Sequence, residues 1–147
     1  MIVLRPAYDR DAARVGAILS EFIDTTPWMP RIYSRAEDIA HAANMIARGW
    51  VQVAEKDGRV AGFAACDGAD LNALYIGRDF RGQGIGAQIV QQLQREQPEL
   101  NLWTFQANTG AQRFYRSHGF TELARTQGES NDEGLPDVQF QWQREAA

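Results

Sequence analysis

The run Arg81-Gly82-Gln83-Gly84-Ile85-Gly86 is the segment whose residue types most directly imply chemistry. Glycines at alternate positions let backbone N–H groups come close to an anion, because a side chain would block the approach and such turns often require positive φ. The stretch from Gly84 to about Gln97 predicts a helix that starts at this loop, buries Ile85, Ile89 and Leu93, shows its glutamines to water and stops at Pro98. Unpaired N–H groups in the first turn of such a helix, together with its dipole, favour a pyrophosphate, and Arg81 adds a full positive charge. A nucleotide-like ligand follows.

Two common glycine-rich signatures do not fit. Gly82, Gly84 and Ala87 satisfy the letters of the dinucleotide fingerprint, but the next strand ends Thr104-Phe105-Gln106-Ala107 and offers no acid for a ribose. No Gly-Lys-Ser or Gly-Lys-Thr is present, which excludes a P-loop. The 147 residues, 44% hydrophobic and 23% charged, suit one globular domain spanning 1–147. A formal charge of -4 gives no electrostatic reason to expect a nucleic-acid partner. The single cysteine, Cys66, rules out an intrachain disulfide and a four-thiolate zinc site, and its apolar surroundings read as a buried hydrophobe. His41 and His118 lack ligand-spaced partners, so no metal is expected; His118 is placed to favour a helix carboxyl end. Neither a signal peptide nor an apolar run long enough for a bilayer is seen, so a cytoplasmic location without membrane contact is expected.

The elements that must position the loop can be read along the chain. After a strand at Ile2 to Leu4, Asp9 or Asp11 can cap a helix with Ala12, Val15, Ile18, Leu19 and Phe22 on its apolar face. Pro27 and Pro30 bound a loop that carries exposed-looking Trp28 and Met29. Ser34 and Glu37 have capping-box spacing for a second helix, with Ile39, Ala43 and Ile46 on one side and Gly49 as its stop. Strands Trp50–Ala54 and Arg59–Cys66 flank the hairpin signal Asp57-Gly58, and a second turn leads to a third strand, Leu71–Ile76. A crossover through the loop's helix then reaches a strand at Leu100–Phe105, parallel to its predecessor or separated from it in one sheet. A short helix, Thr109–His118, and strands Phe120–Thr126 and Val138–Gln143 complete the order, the last two joined by a polar loop, Gln127–Pro136.

With this order the chain resembles the GNAT acetyltransferase superfamily, whose acetyl-CoA loop follows the pattern Arg/Gln-x-x-Gly-x-Gly/Ala between a strand and a helix; Arg81, Gly84 and Gly86 fill it. Leu74-Tyr75-Ile76 with Asp79-Phe80 upstream, and Asn108, Ala111, Phe114-Tyr115 and Gly119-Phe120 downstream, extend the likeness over most of the chain. The resemblance implies an α/β (α+β) fold: a mixed, mostly antiparallel central sheet of about seven strands flanked by about four helices. It implies an enzyme that transfers an acetyl group from acetyl-CoA to a primary amine by direct attack. Backbone groups of Leu74, Tyr75 and Ile76 would hold the pantetheine arm and the acetyl carbonyl. Amides of Arg81, Gly82, Gln83, Gly84, Ile85 and Gly86 would hold the pyrophosphate, and Asn108 and Ala111 would lie along the cofactor. Tyr115 occupies the position of the general acid, a role suited to a phenol with an ordinary pKa near ~10.

The chain departs from the family at Asn72, where many members carry a glutamate that serves as base. Water, Asp70, Glu21, Asp24 or a carboxylate of the late loop are the replacements left open. By resemblance the acceptor pocket is lined by residues 25–31 and 129–137, so that Thr25, Trp28, Met29, Tyr33 and Asn72 would meet the acceptor and Glu129, Asp132, Glu133 and Asp137 would attract a cationic one. Arg31 and Arg35 argue instead for a pocket of mixed charge. A small-molecule amine is the first expectation for the acceptor, with a peptide or protein amino group as the alternative. A non-catalytic acetyl-CoA sensor is the competing function, and a homodimer is left open.

Overall fold

A computed structural model describes residues 1–145. Its strands are β1 (Ile2–Pro6), β2 (Val51–Lys56), β3 (Arg59–Asp67), β4 (Asp70–Ile76), β5 (Glu99–Phe105), β6 (Thr121–Thr126) and β7 (Asp137–Gln143). The helices are α1 (Ala12–Thr25), α2 (Arg35–Ala47), α3 (Ile85–Glu96) and α4 (Thr109–Ser117). All seven strands form one sheet in the order β1-β2-β3-β4-β5-β7-β6, antiparallel except where β4 meets β5. This is the mixed, mostly antiparallel architecture expected.

Alternation along the strands builds two cores, one on each face. Val53, Phe63 and Ala65 meet Val15, Ile18, Ala42 and Met45 beneath α1 and α2. Ala54, Ala64, Leu100 and Phe140 meet Ile85, Ile89, Leu93 and Tyr115 beneath α3 and α4. The hairpin between β2 and β3 turns at Asp57 (φ 53°) and Gly58 (φ 75°), the paired left-handed conformations that an Asp-Gly turn supplies.

Three local expectations needed revision. Neither Asp9 nor Asp11 caps α1 with its side chain; Asp11 accepts from Tyr8 N at 2.7 Å and from Arg5 Nη1 at 2.8 Å, an ion pair that closes the turn before the helix. Helix α2 does have the Ser34–Glu37 capping box, worth about 1 kcal/mol, but its buried face is Asp38, Ala42, Met45 and Ile46. Burial of Met45 and Ile46 at about 2 kcal/mol each outweighs the cap in setting the helix's rotation. Ile39 and Ala43 therefore face solvent, and the backbone of Ile39 lies against Gly16 of α1, where an added Cβ would come within 2.7 Å. Finally, Trp28 and Met29 are half-buried rather than exposed.

Strand order carries one consequence for the site. Because β7 inserts between β5 and β6, the loop of residues 127–136 returns to the carboxyl end of β5, where Gln106 N donates to Pro136 O at 2.9 Å. That is the end at which β4 and β5 diverge.

Candidate active site

Strands β4 and β5 share a single register pair, Asp70 with Asn101, joined by Asn101 N donating to Ala69 O at 2.8 Å. Beyond it they separate. The cause is visible on the other side of β4: Ala65 pairs with Ala73 and Cys66 with Leu71, so Asn72 is the extra residue of a β-bulge, which bends a strand and re-aims its side chains. No glycine or proline marks this bulge in the sequence. Gly77 N donates to Ala61 O at 2.7 Å, so by antiparallel alternation Tyr75 and Ala73 direct their backbone groups to β3 while Leu74 and Ile76 direct theirs into the gap. The gap forms a cavity of about 80 Å³ whose lining includes Asn72, Leu74, Tyr75, Asn108, Ala111 and Tyr115.

At the end of β4 lies the glycine loop. Gly82 and Gly84 have φ of 76° and 78°, and an added Cβ at either would meet nothing within 4 Å, so these glycines serve conformation rather than space. Gly84 caps α3 without any side-chain hydrogen bond, and the helix's first internal bond runs from Gln88 N to Gly84 O at 3.1 Å. The first-turn N–H groups of Ile85, Gly86 and Ala87 have no intrahelical partner. Ile85 is itself a core residue, anchoring the turn. Gly86 has a different purpose: a Cβ there would stand 3.4 Å from Phe114 Cζ, so it lets α3 and α4 pack closely.

Arg81 Nε donates to Ile76 O at 3.3 Å, which ties the loop to β4 and leaves the rest of the guanidinium exposed. A second cation went unnoticed in the sequence. Lys56, the only lysine in the chain, ends β2, and the Asp57-Gly58 turn brings its ammonium to Gln83 Oε1 of the loop. Two left-handed glycines, an uncapped helix start and two flanking cations form a donor set that fits a pyrophosphate.

Tyr115 is buried, its ring set edge-on to Phe114 at 5.2 Å and Phe120 at 5.4 Å, and burial pushes its phenol well above the ordinary value. The group therefore stays protonated and able to donate. Asn108 caps α4 through Oδ1, which accepts from Ala111 N at 3.0 Å, leaving its amide nitrogen to donate. At the other end of α4 His118 is the C-cap residue, as its position in the sequence indicates; its ring lies tilted against Phe114 at 4.7 Å, and burial lowers its pKa. Burial likewise pushes the Cys66 thiol up to about 12, which keeps it unreactive.

On the other side of β4 a cavity of about 540 Å³ opens between that strand, α1, α2 and the late loop. Asn72, Ala73 and Tyr75 line both cavities, so the two meet across the bulge. Glu37, Asp132 and Glu133 stand around this larger space. Tyr33 Oη donates to Asp132 Oδ2 at 2.7 Å, joining the late loop to the segment before α2. The arginines expected to balance the acids are occupied: Arg31 binds Asp24 at 2.8 Å and Asp38 at 3.0 Å, and Arg35 binds Asp24 at 2.7 Å. Thr25 lies elsewhere, donating to Glu21 O at 2.7 Å beside Arg35 and Arg78. Trp28 packs against Phe22 and Phe105 behind the gap, and neither it nor Met29 lines either cavity. A further cavity, about 710 Å³ between β1–β2 and the glutamines of α3, contains none of these residues. Among the described residues no cluster of three or more His, Cys, Asp or Glu is placed to hold a metal ion, and no helix is long and apolar enough to cross a membrane.

A sheet opened between parallel neighbours, with a glycine loop and uncapped helix start at the end of one of them, is a shape that suits an extended, phosphate-bearing ligand. Residues 47–122 match the acetyltransferase (GNAT) domain. The peptidyl-lysine N-acetyltransferase YjaB of Salmonella typhimurium is 31% identical over 138 residues, covering 92% of this chain and 93% of that protein. Among solved structures, apo YjaB from Escherichia coli superposes with a TM-score of 0.82 at 23% identity, covering 99% of each chain. YncA, a putative acetyltransferase from Salmonella typhimurium solved with acetyl-CoA, gives 0.76 at 20% identity, covering 100% of this chain and 96% of that one. The chain belongs to the GNAT acetyltransferase family. It is an acetyltransferase, and acetyl-CoA is its acyl donor.

Proposed function

We propose that the acceptor is the ε-amino group of a lysine in a peptide or protein, and that the amine attacks the bound thioester directly. The carrying observation is that the open cavity beside the bulge is walled by Glu37, Asp132 and Glu133, none of which is in a salt bridge among the described residues. An acidic wall without internal counter-ions favours a cationic side chain. The naming of YjaB as a peptidyl-lysine N-acetyltransferase supports this choice over the small amine first expected. Acetyl-CoA supplies a thioester carbonyl carbon for attack when bound.

In this reading the backbone groups of Leu74 and Ile76 hold the carrier's arm in the gap, and the Ile85–Ala87 amides with Lys56 and Arg81 hold its phosphates. Tyr115, kept protonated by burial, gives its proton to the departing sulfur. Competition between a lysine-containing peptide and small alkylamines, read by mass spectrometry, tests the acceptor. The peptide is expected to be acetylated on the ε-nitrogen with kcat/KM at least tenfold above the small amines; the reverse order would reject the proposal.

A further inference from the structure

The acceptor arrives as an ammonium, with an ordinary pKa near ~10, and only its neutral form attacks, yet the usual strand carboxylate is replaced by Asn72. Most acids near the site are already committed. Asp24 is paired with Arg31 and Arg35, and Asp38 with Arg31 and the Ser20 hydroxyl. Glu21 accepts from Arg78 N at 2.6 Å outside the acceptor cavity. Asp70 precedes the bulge and lines a different depression with Asn101 and Gln139. Glu37 closes the capping box of α2, accepting from Ser34 N at 3.0 Å, and Asp132 accepts from Tyr33.

Glu133 has none of these ties. It is half-buried, shares the acceptor cavity with Asn72 and Tyr75, and its charge reaches Tyr75, whose phenol burial and Glu133 push up to about 12. Its loop is also held firmly enough to place a catalytic group. Asn131 Nδ2 donates to Leu135 O at 2.7 Å, Leu135 N returns a bond to Asn131 Oδ1 at 3.1 Å, and Asn131 Nδ2 also reaches Asp137 Oδ2 at 3.2 Å. At the neck, Gly128 (φ 93°) passes so close to Leu135 O that a Cβ would lie 2.5 Å away. The loop is a built feature rather than a polar tether.

Resting on the lysine-acceptor reading, we infer that Glu133 is the general base, supplied by the loop between β6 and β7 in place of the carboxylate that β4 lacks at Asn72. The acceptor ammonium gives one proton to the Glu133 carboxylate. The amine lone pair then forms the C–N bond to the acetyl carbon, and the sulfur leaves with the C–S electron pair. Tyr115 protonates that sulfur and recovers the proton shed by the new amide nitrogen, while Glu133 releases its own to water. The groups facing Glu133 are Tyr33, Glu37, Asp38 and His41 from α2 and the segment before it, Tyr75 from β4, and the adjacent Asp132; α1 contributes only Leu19 and Ile23. Arg31 is the nearby cation, held by Asp38.

The test compares E133Q and E133D with wild type on a lysine peptide and on an aniline, an amine already neutral at pH 7. E133Q is expected to lower kcat on the peptide at least ~100-fold at pH 7, with activity recovering as pH rises toward the amine's own pKa. On the aniline it should stay within threefold of wild type, and thermal protection by CoA should not change. E133D should restore part of the peptide activity. Independently of turnover, alkaline tyrosinate titration should show the midpoints of Tyr33 and Tyr75 falling in E133Q, an effect absent when both tyrosines are replaced by phenylalanine. Unchanged peptide turnover in E133Q, or equal losses on both amines with an unaltered pH profile, overturns the assignment. Wild-type enzyme that ignores the peptide but acetylates a small alkylamine rejects only the acceptor reading, and the same E133Q comparison on that alkylamine then decides the role of Glu133.

Discussion

Tyr115→Phe separates catalysis from packing more cleanly than any other single change in this site. The ring is only 8% exposed and packs against Phe114, Phe120 and Phe140 at centroid distances of 5.2, 5.4 and 6.5 Å, contacts that phenylalanine preserves. No hydrogen bond from its hydroxyl to the chain exists among the described residues, and the net value of such a bond would be only about 1 kcal/mol. The change in stability should therefore stay below about 0.5 kcal/mol, or roughly 2 °C in Tm for a chain this size. Loss of a general acid lowers turnover about 10²- to 10⁴-fold, equivalent to about 3–5 kcal/mol in the barrier. Thiol release from acetyl-CoA with a lysine peptide reads turnover, and thermal protection by CoA reads binding. The expected result is a large fall in kcat with unchanged protection. Because burial raises the phenol's pKa, it remains protonated through pH 10, and wild-type activity should show no alkaline loss there from Tyr115. A variant with kcat within twofold of wild type would refute the acid role, and a joint loss of Tm and CoA protection would make Tyr115 a packing residue.

Two further perturbations test the frame. Gly84→Ala and Gly49→Ala both place a Cβ at φ near 77° in open space, so each should cost about 1 kcal/mol of strain; only the former should weaken CoA binding, by at least tenfold in calorimetry, since Gly49 ends α2 away from the loop. Asp11→Asn leaves Arg5 with only one of its two carboxylate partners, Glu55, each of which it meets at 2.8 Å, and loss of the charged pairing should cost about 2 kcal/mol at pH 7. Arg5 holds the Asp11 pKa below the ordinary range, so this contribution is complete above about pH 4 and lost as pH falls through the folded value. The gap in Tm between wild type and variant should narrow correspondingly in acid.

Much of the fold could be read from local chemistry. The Asp57-Gly58 turn, the Ser34–Glu37 capping box and Gly49 each act over a few residues, and each appears where its spacing indicates. Features requiring long-range pairing were not legible. The Asn72 bulge arises from a mismatch between two strands, and no local residue announces it. The rotation of α2 that buries Met45 and Ile46 also carries Asp38 inward, where its charge is met by Ser20 and Arg31 from outside the helix. Lys56 reaches the glycine loop only through the hairpin, although its being the chain's sole lysine is a signal legible in the sequence. Placement of Glu133 required β7 to insert between β5 and β6, a topology that the order of elements alone leaves undetermined.

Hydrogen exchange with and without acetyl-CoA tests the central claim most directly, because it reports whether the amides proposed to hold the carrier are the ones it covers. Protection is expected at Leu74 and Ile76, whose backbone groups face the gap, and at Ile85, Gly86 and Ala87 in the uncapped first turn of α3. Protection confined instead to the groove between β1–β2 and the glutamine face of α3 would contradict it.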